Sequence, residues 1–191
     1  MAEFRRKNIR LPAARYVGRW WYFLTMVVEG RAERFSDASL VAENLHFLTE
    51  HARSERFAIS ACCFMPDHLH LLTNGTEIDA NLLRFCSGFK QESAFIFKQR
   101  TGSRLWQKKY YDHILRADER WEPMACYIWN NPVRKGLCER AEDWPCSGSL
   151  TLNWRRLLSV GLDPWVPPWK AGTSQQRPSG RRHAGTGTMP G

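Results

Sequence analysis

The stretch FAISACCFMPDHLHLLT, residues 57–73, decides the fold of this chain. Two apolar runs, 57–64 and 68–73, flank the tripeptide Met-Pro-Asp, whose proline and aspartate are typical of a turn. Two such runs joined by so short a connection predict an antiparallel β-hairpin. Because alternate residues of a strand project from one face, His68 and His70 should lie side by side on the second strand.

Further elements are predicted on both sides of the hairpin. Residues 20–28, WWYFLTMVV, predict a buried strand. After the hairpin, a helix is expected from Asp79, and residues 110–115, YYDHIL, predict a fourth strand. Between the first strand and the hairpin, Ser36 or Asp37 can cap a helix whose apolar face comprises Val41, Leu45, Leu48 and Ala52.

A last helix is predicted through MACYIWNN. It should end near Asn131 because Pro132 disfavours helical geometry in the residue before it, and Pro123 has to lie in or before its first turn. The resulting order, βαββαβ plus one helix, predicts an α+β fold of the ferredoxin-like kind. We expect an antiparallel sheet with helices on one face and an additional C-terminal helix that carries the candidate nucleophile Tyr127.

Length and composition limit the classes of protein. The chain has 191 residues, 43% of them hydrophobic, which suits one domain with tails. It contains no apolar run of roughly 18 residues and no signal-peptide core, so we expect a cytoplasmic protein without a membrane partner. Its six cysteines form no C-x-x-C motif, which indicates buried thiols rather than a zinc site.

The net charge of +9 is concentrated in three segments. Six basic residues oppose Glu3 in 1–19, seven oppose Glu92 in 84–109, and four in 170–191 oppose no acid. Such clusters favour a polyanionic partner because each phosphate contact releases counterions. A merely solvated surface is the alternative.

Two pairs of side chains suggest chemistry. His68 and His70 can hold a divalent cation if a third ligand is available, although an isolated H-x-H motif more often reflects ordinary histidines. Tyr127 and Asn131 are four residues apart on the last helix and can share a face, although a lone tyrosine there is usually core. Phosphodiester cleavage would unite them, with Tyr127 attacking a phosphate polarised by a metal on His68, His70 and Asn131. These ligands suit Mg²⁺ or Mn²⁺, and zinc is chemically possible.

Four motifs carry a family resemblance: FMPDHLHLL, LWQKKYYDHIL, YIWNNPVRKGL and EDWPCSGSL. In this order and spacing, over about residues 15–150, the chain resembles the REP-associated tyrosine transposases, a branch of the single-tyrosine HUH endonucleases. The resemblance implies a metal-dependent endonuclease that cleaves and rejoins single-stranded DNA near hairpins through a 5′-phosphotyrosine. It makes Tyr127 the nucleophile and His68, His70 and Asn131 the metal ligands.

Charge, composition and the extent of the resemblance together divide the chain. We expect a basic arm at 1–19, a catalytic domain at 20–150, an extension at 151–170 and a disordered tail at 171–191. The partner is single-stranded or hairpin DNA, bound by a monomer or a homodimer. Candidate DNA contacts are Arg5, Arg6 and Arg10 in the arm, and Lys90, Lys98, Arg104, Lys108 and Lys109 in the body.

Alternatives remain open for several residues and for the whole protein. Tyr110 and Tyr111 are rival nucleophiles, but alternating strand positions favour packing or DNA contact. His113 is a candidate supporting group for the metal site or an ordinary hydrogen-bonded histidine. The same fold could also bind structured nucleic acid without cleaving it, and a zinc hydrolase using the H-x-H is the weakest hypothesis.

Overall fold

The computed structural model of the protein describes residues 12–162 and 165–167. Short 3-10 turns precede and follow the first strand, at Ala13–Tyr16, Glu29–Arg31 and Arg34–Ser36, and another lies at Ala141–Asp143. The regular elements are β1 (Trp21–Val27), α1 (Ala38–Ser54), β2 (Phe57–Met65), β3 (His68–Gly75), α2 (Leu82–Thr101), β4 (Tyr111–Ile114), α3 (Trp121–Trp129), α4 (Asn131–Arg134), β5 (Ser147–Gly148) and α5 (Trp154–Leu158).

The strands form one antiparallel sheet in the order β4-β1-β3-β2-β5. The predicted hairpin is confirmed, since β2 pairs with β3 and only Pro66 and Asp67 separate them. The order β4-β1-β3-β2 is the ferredoxin-like arrangement predicted from βαββαβ. The sequence does not predict β5, because two residues at an edge give no periodic pattern.

Side chains alternate between two cores on opposite faces of the sheet. On β3, Leu69 and Leu71 join the core beneath α1 and α2, whereas Leu72 joins the core beneath α3. The predicted helices α1 and α2 therefore cover one face, and the additional helix α3 covers the other. By the same alternation His68 and His70 face the α3 side, which places them on the same side of the sheet as Tyr127.

The helix starts follow from side-chain caps. The Asp37 carboxylate accepts a hydrogen bond of 2.8 Å from the Ser39 amide, and bonds to Ser39 lower the pKa of Asp37. The second helix begins at Leu82, later than the predicted Asp79, because the Asn81 side chain caps it by accepting from the Arg84 amide at 3.1 Å. Asp79 instead pairs with Arg56.

The last predicted helix is interrupted, which corrects the expectation of one helix reaching Asn131. Helix α3 ends at Trp129, and α4 starts at Asn131. Pro132 has no amide hydrogen to donate to the preceding turn, so the helical hydrogen-bond ladder is interrupted at Asn130. At the other end Pro123 lies in the first turn of α3, where an amide hydrogen has no helical partner, as the sequence predicts.

Gly75 provides a test of the packing at the end of β3. A Cβ built on Gly75 collides with the Gly18 carbonyl oxygen and lies 2.9 Å from the Ala80 Cβ. Gly75→Ala should therefore lower the free energy of unfolding by about 1–3 kcal/mol in urea titrations. Gly148→Ala is the control, because a Cβ built on Gly148 has its nearest neighbouring atom 4.0 Å away, an ordinary van der Waals distance. An equal loss of unfolding free energy in both variants would contradict the steric explanation.

Candidate active site

Two histidine side chains converge at the start of β3. The Nε2 atoms of His68 and His70 are 3.0 Å apart. Their ring centroids are 4.6 Å apart, and the ring planes stand at 89°. Nitrogen atoms that converge in this way can contact one shared ligand.

The other nitrogen of each ring is fixed by a separate partner. The Nδ1 atom of His70 lies 2.9 Å from the hydroxyl oxygen of Thr25, its neighbour across the ladder between β1 and β3. The Nδ1 atom of His68 is hydrogen-bonded to the Asp67 carboxylate. That carboxylate also accepts a hydrogen bond of 2.9 Å from Arg31. Such partners fix a histidine ring, so both Nε2 atoms are held toward one point.

Burial favours the neutral form of both imidazoles. It lowers the pKa of His70 well below the usual value, and the charges of His68 and Arg134 act in the same direction. Burial also lowers the pKa of His68, although the Asp67 carboxylate opposes the shift. A neutral imidazole keeps the lone pair that a metal ion requires.

Tyr127 lies on α3 opposite the histidine pair. Its ring centroid is 6.4 Å from that of His70 and 6.2 Å from that of the buried Phe23. The guanidinium carbon of Arg134 is 4.4 Å from the centroid of the Tyr127 ring. The centroid of the Trp165 ring is 5.0 Å from it, and the two ring planes are nearly perpendicular. These contacts surround the ring and hold it beside the histidines.

Asn131 places an amide group next to Tyr127. Its Nδ2 atom donates to the main-chain oxygens of Tyr127 at 3.0 Å and of Ile128 at 3.5 Å. Because both partners are acceptors, the amino side of the amide faces them and Oδ1 faces away. Although the helix is interrupted before α4, Asn131 stays next to Tyr127, as the spacing predicts. The structure brings all four predicted residues, His68, His70, Tyr127 and Asn131, to one cleft.

The cleft is strongly basic. It has a volume of about 700 Å³, and its cationic side chains are Arg31, Lys109, Arg134 and Lys135. Within the described ranges, no aspartate or glutamate lines it. Of these cations the sequence predicts Lys109 alone. Arg134 carries a signal that could have been used, since it lies two helical turns after Tyr127, whereas only the folded chain brings Arg31 here.

Tyr110 and Tyr111 line the same cleft, as rival nucleophiles must. Burial and the charges of Asp112 and Glu119 raise the pKa of Tyr111, which disfavours its phenolate. The Tyr110 ring packs toward the core beneath α1 and α2, with the Lys90 ammonium 5.4 Å from its centroid. These surroundings argue against Tyr110 and Tyr111 as nucleophiles, and the role of Tyr127 stays a prediction.

A second groove adjoins the cleft. It has a volume of about 1010 Å³, and Gln107 and Lys109 line both spaces. The groove lining includes Glu29 besides its four cations, so the two adjoining spaces are predominantly basic. The predicted DNA contacts on the groove are Lys98, Arg104, Lys108 and Lys109.

Other predicted contacts have different surroundings. The Lys90 ammonium donates to the main-chain oxygens of Gln107 at 2.7 Å and Lys108 at 3.3 Å, so it fixes the segment between α2 and β4. Arg5, Arg6 and Arg10, like the tail 171–191, lie outside the described residues.

His113 is paired with a carboxylate. Its Nε2 atom lies 2.9 Å from both carboxylate oxygens of Glu119, which also accepts a hydrogen bond of 2.7 Å from the Arg116 amide. His113 is absent from the described lining of the cleft. A supporting role toward the histidine pair stays a prediction.

The donors available in the cleft are nitrogen and oxygen atoms. Among residues 12–162 and 165–167, no three His, Cys, Asp or Glu side chains form a group that could hold a metal ion. The six cysteines are free, and burial raises the pKa of Cys62 and Cys63 to about 12, so these thiols stay protonated. Two imidazoles and the Asn131 amide oxygen remain as candidate ligands of a divalent cation.

Fold and cleft together define a class of protein. The protein is a ferredoxin-like domain whose basic cleft contains a histidine pair and a tyrosine. Such a composition is suited to binding a phosphate ester. A family model described as "Transposase IS200 like" matches residues 16–131, which is more than half of the chain. The chain therefore belongs to the IS200-like transposase family, and it is a transposase.

Individual relatives agree with this assignment. The chain is 28% identical over 137 residues to a Haemophilus influenzae protein assigned as a REP-associated tyrosine transposase, covering 66% of this chain and 77% of that one. It is 26% identical over 168 residues to the REP-associated tyrosine transposase of Escherichia coli K12, covering 86% and 89% respectively. The resemblance predicted from the four motifs is confirmed.

A solved structure agrees with the fold. The structure of a REP-associated tyrosine transposase bound to a REP hairpin superposes with a TM-score of 0.57 at 24% identity, over 87% of this chain and 92% of that chain. This similarity confirms the α+β fold.

In the described part of the chain, every helix is too short or too polar to span a bilayer.

Proposed function

We propose that this transposase cleaves and rejoins single-stranded DNA beside hairpins through a covalent bond to Tyr127. The observation that carries the proposal is the convergence of two neutral imidazoles and Tyr127 in one cleft whose charged lining is cationic. The REP-associated tyrosine transposase solved in complex with a REP hairpin supports hairpin DNA as the partner.

The chemistry assigned to Tyr127 is an in-line displacement. The phenolic oxygen bonds to phosphorus and loses its proton, while the bond from phosphorus to the 3′ oxygen breaks. The departing oxygen takes up a proton, which leaves a 3′-hydroxyl and a 5′-phosphotyrosine. The phosphotyrosine bond retains the energy of the phosphodiester, so attack by another 3′-hydroxyl reverses the step and joins two strands.

We assign His68, His70 and Asn131 as ligands of a divalent cation, Mg²⁺ or Mn²⁺. The two Nε2 atoms lie 3.0 Å apart and burial favours the neutral form of both rings, so their lone pairs could be offered to one cation. Such a cation, when bound, would polarise the phosphate and make it accept attack by a phenol, a weak nucleophile at neutral pH.

We assign the DNA path to the basic groove and the arm. Lys98, Arg104, Lys108 and Lys109 would contact backbone phosphates, which positions a strand without reading its sequence. Arg5, Arg6 and Arg10 would contribute further contacts from the arm. Binding that depends on these cations should weaken steeply with salt.

A covalent-adduct assay tests the proposal. Single-stranded DNA with a hairpin, labelled at its 3′ end, is incubated with the chain and Mn²⁺ and then denatured. We expect label to migrate with the protein, because the 3′ fragment carries the 5′-phosphate. Salt-sensitive hairpin binding without an adduct under any divalent cation would contradict cleavage and favour a non-catalytic nucleic-acid-binding protein.

Asp67 offers a test of the metal site that does not require DNA. Its carboxylate fixes His68 through Nδ1, so Asp67→Ala should weaken Mn²⁺ binding about 10-fold in calorimetric titrations of the free protein. Asp79→Ala is the matched control, because Asp79 also pairs with an arginine but lies outside the cleft. Equal Mn²⁺ affinities for wild type and Asp67→Ala would contradict this role.

A further inference from the structure

Arg134 lies directly against the candidate nucleophile. It is the last residue of α4, seven residues after Tyr127. Its guanidinium carbon is 4.4 Å from the centroid of the Tyr127 ring, a distance typical of a cation over an aromatic face. The position of the guanidinium is thus coupled to the position of the phenol.

The charge of Arg134 is directed into the cleft. Arg134 lines the cleft together with His68, His70 and Asn131, and its charge contributes to the lowered pKa of His70. Arg31 on the same cleft is paired with Asp67. No carboxylate in the described ranges forms an ion pair with Arg134, so its positive charge is available to an anionic ligand.

We propose that Arg134 is a catalytic residue whose guanidinium binds the non-bridging oxygens of the phosphate that Tyr127 attacks. This inference rests on the proposed function. A guanidinium presents planar N–H donors that match two phosphate oxygens, and it remains charged at every physiological pH.

The role of Arg134 is electrostatic. Charge develops on the equatorial phosphate oxygens as the phenolic oxygen bonds to phosphorus and the 3′ oxygen departs. Arg134 exchanges no proton in this step. Its contact with the Tyr127 ring would hold the attacking group and the phosphate-binding group in a fixed relation.

Single-turnover adduct formation at saturating hairpin DNA and Mn²⁺ tests the inference. Arg134→Ala should slow the step about 100-fold, while the dissociation constant for DNA changes less than about 3-fold. Arg134→Lys should be intermediate, since it restores the charge without the planar donors. Added guanidinium ion, at concentrations far below those that unfold proteins, should restore at least about a tenth of the wild-type rate to Arg134→Ala.

Arg155→Ala is the matched control. Arg155 also lies over an aromatic ring, 4.8 Å from the centroid of Trp154, but it does not line the cleft. It should retain the wild-type rate and show no effect of guanidinium. Thermal unfolding of each variant separates loss of fold from loss of chemistry, and Arg134→Lys serves if Arg134→Ala does not fold.

The outcomes separate two failures. A rate for Arg134→Ala within about 3-fold of wild type, or a loss explained entirely by DNA affinity, would overturn the role of Arg134 alone. A slow Arg134→Ala that guanidinium does not restore would also count against direct phosphate contact. Absence of any adduct with the wild-type chain would overturn the proposed function, and this inference with it.

Discussion

Tyr127→Phe should abolish the covalent adduct with hairpin DNA, a loss of at least about 10⁴-fold in rate. The substitution removes only the hydroxyl group, so the ring that contacts Arg134 and Trp165 is retained. We therefore expect the variant to fold and to bind DNA with an affinity close to that of wild type. The measurement is the yield of protein-linked label over time.

Variants of the rival tyrosines make this prediction specific. Tyr110→Phe and Tyr111→Phe should still form the adduct, although both residues line the cleft. An adduct that forms at the wild-type rate with Tyr127→Phe would show that another group attacks the phosphate. Loss of the adduct in Tyr111→Phe with DNA binding intact would point to Tyr111.

His70→Ala should reduce cleavage about 10³-fold at saturating Mn²⁺, because losing a metal that polarises the phosphate costs several kcal/mol of transition-state stabilisation. His70 is 6% exposed and hydrogen-bonded to Thr25, so its ring is fixed in the cleft. Removal of divalent cations with a chelator should have the same effect on the wild-type chain. DNA binding measured without metal should persist.

His46→Ala is the control for the histidine variant. His46 lies on α1, on the opposite side of the sheet from the cleft, and is exposed. It should cleave at the wild-type rate. Equal cleavage by His70→Ala and wild type, or cleavage by the wild-type chain in excess chelator, would contradict the assigned metal site.

Much of the fold is predictable because its signals are local. The turn at Pro66 and Asp67 and the alternation of residues along β3 determine the hairpin and direct both histidines to one face. The break after Trp129 follows from Pro132, but its position depends on how Asn130 and Asn131 bond to the preceding turn. No local signal specifies β5, which pairs with β2 through only two residues.

The candidate site is only partly predictable, because it depends on contacts between distant segments. The histidine pair and Tyr127 come together since α3 packs against β2 and β3, through a core that includes Leu72 and Ile128. Residue spacing predicts which residues share one element, such as Tyr127 and Asn131. It does not predict that the turn after β1 brings Arg31 to Asp67.

The measurement that tests the central claim most directly is tandem mass spectrometry of the trapped adduct. After reaction with hairpin DNA and Mn²⁺, nuclease digestion should leave a nucleotide attached through its 5′-phosphate to the peptide that contains Tyr127. Fragment masses should assign the phosphate to the Tyr127 oxygen. A nucleotide on Tyr110, on Tyr111 or on a histidine, with Tyr127 unmodified, would contradict the proposed mechanism.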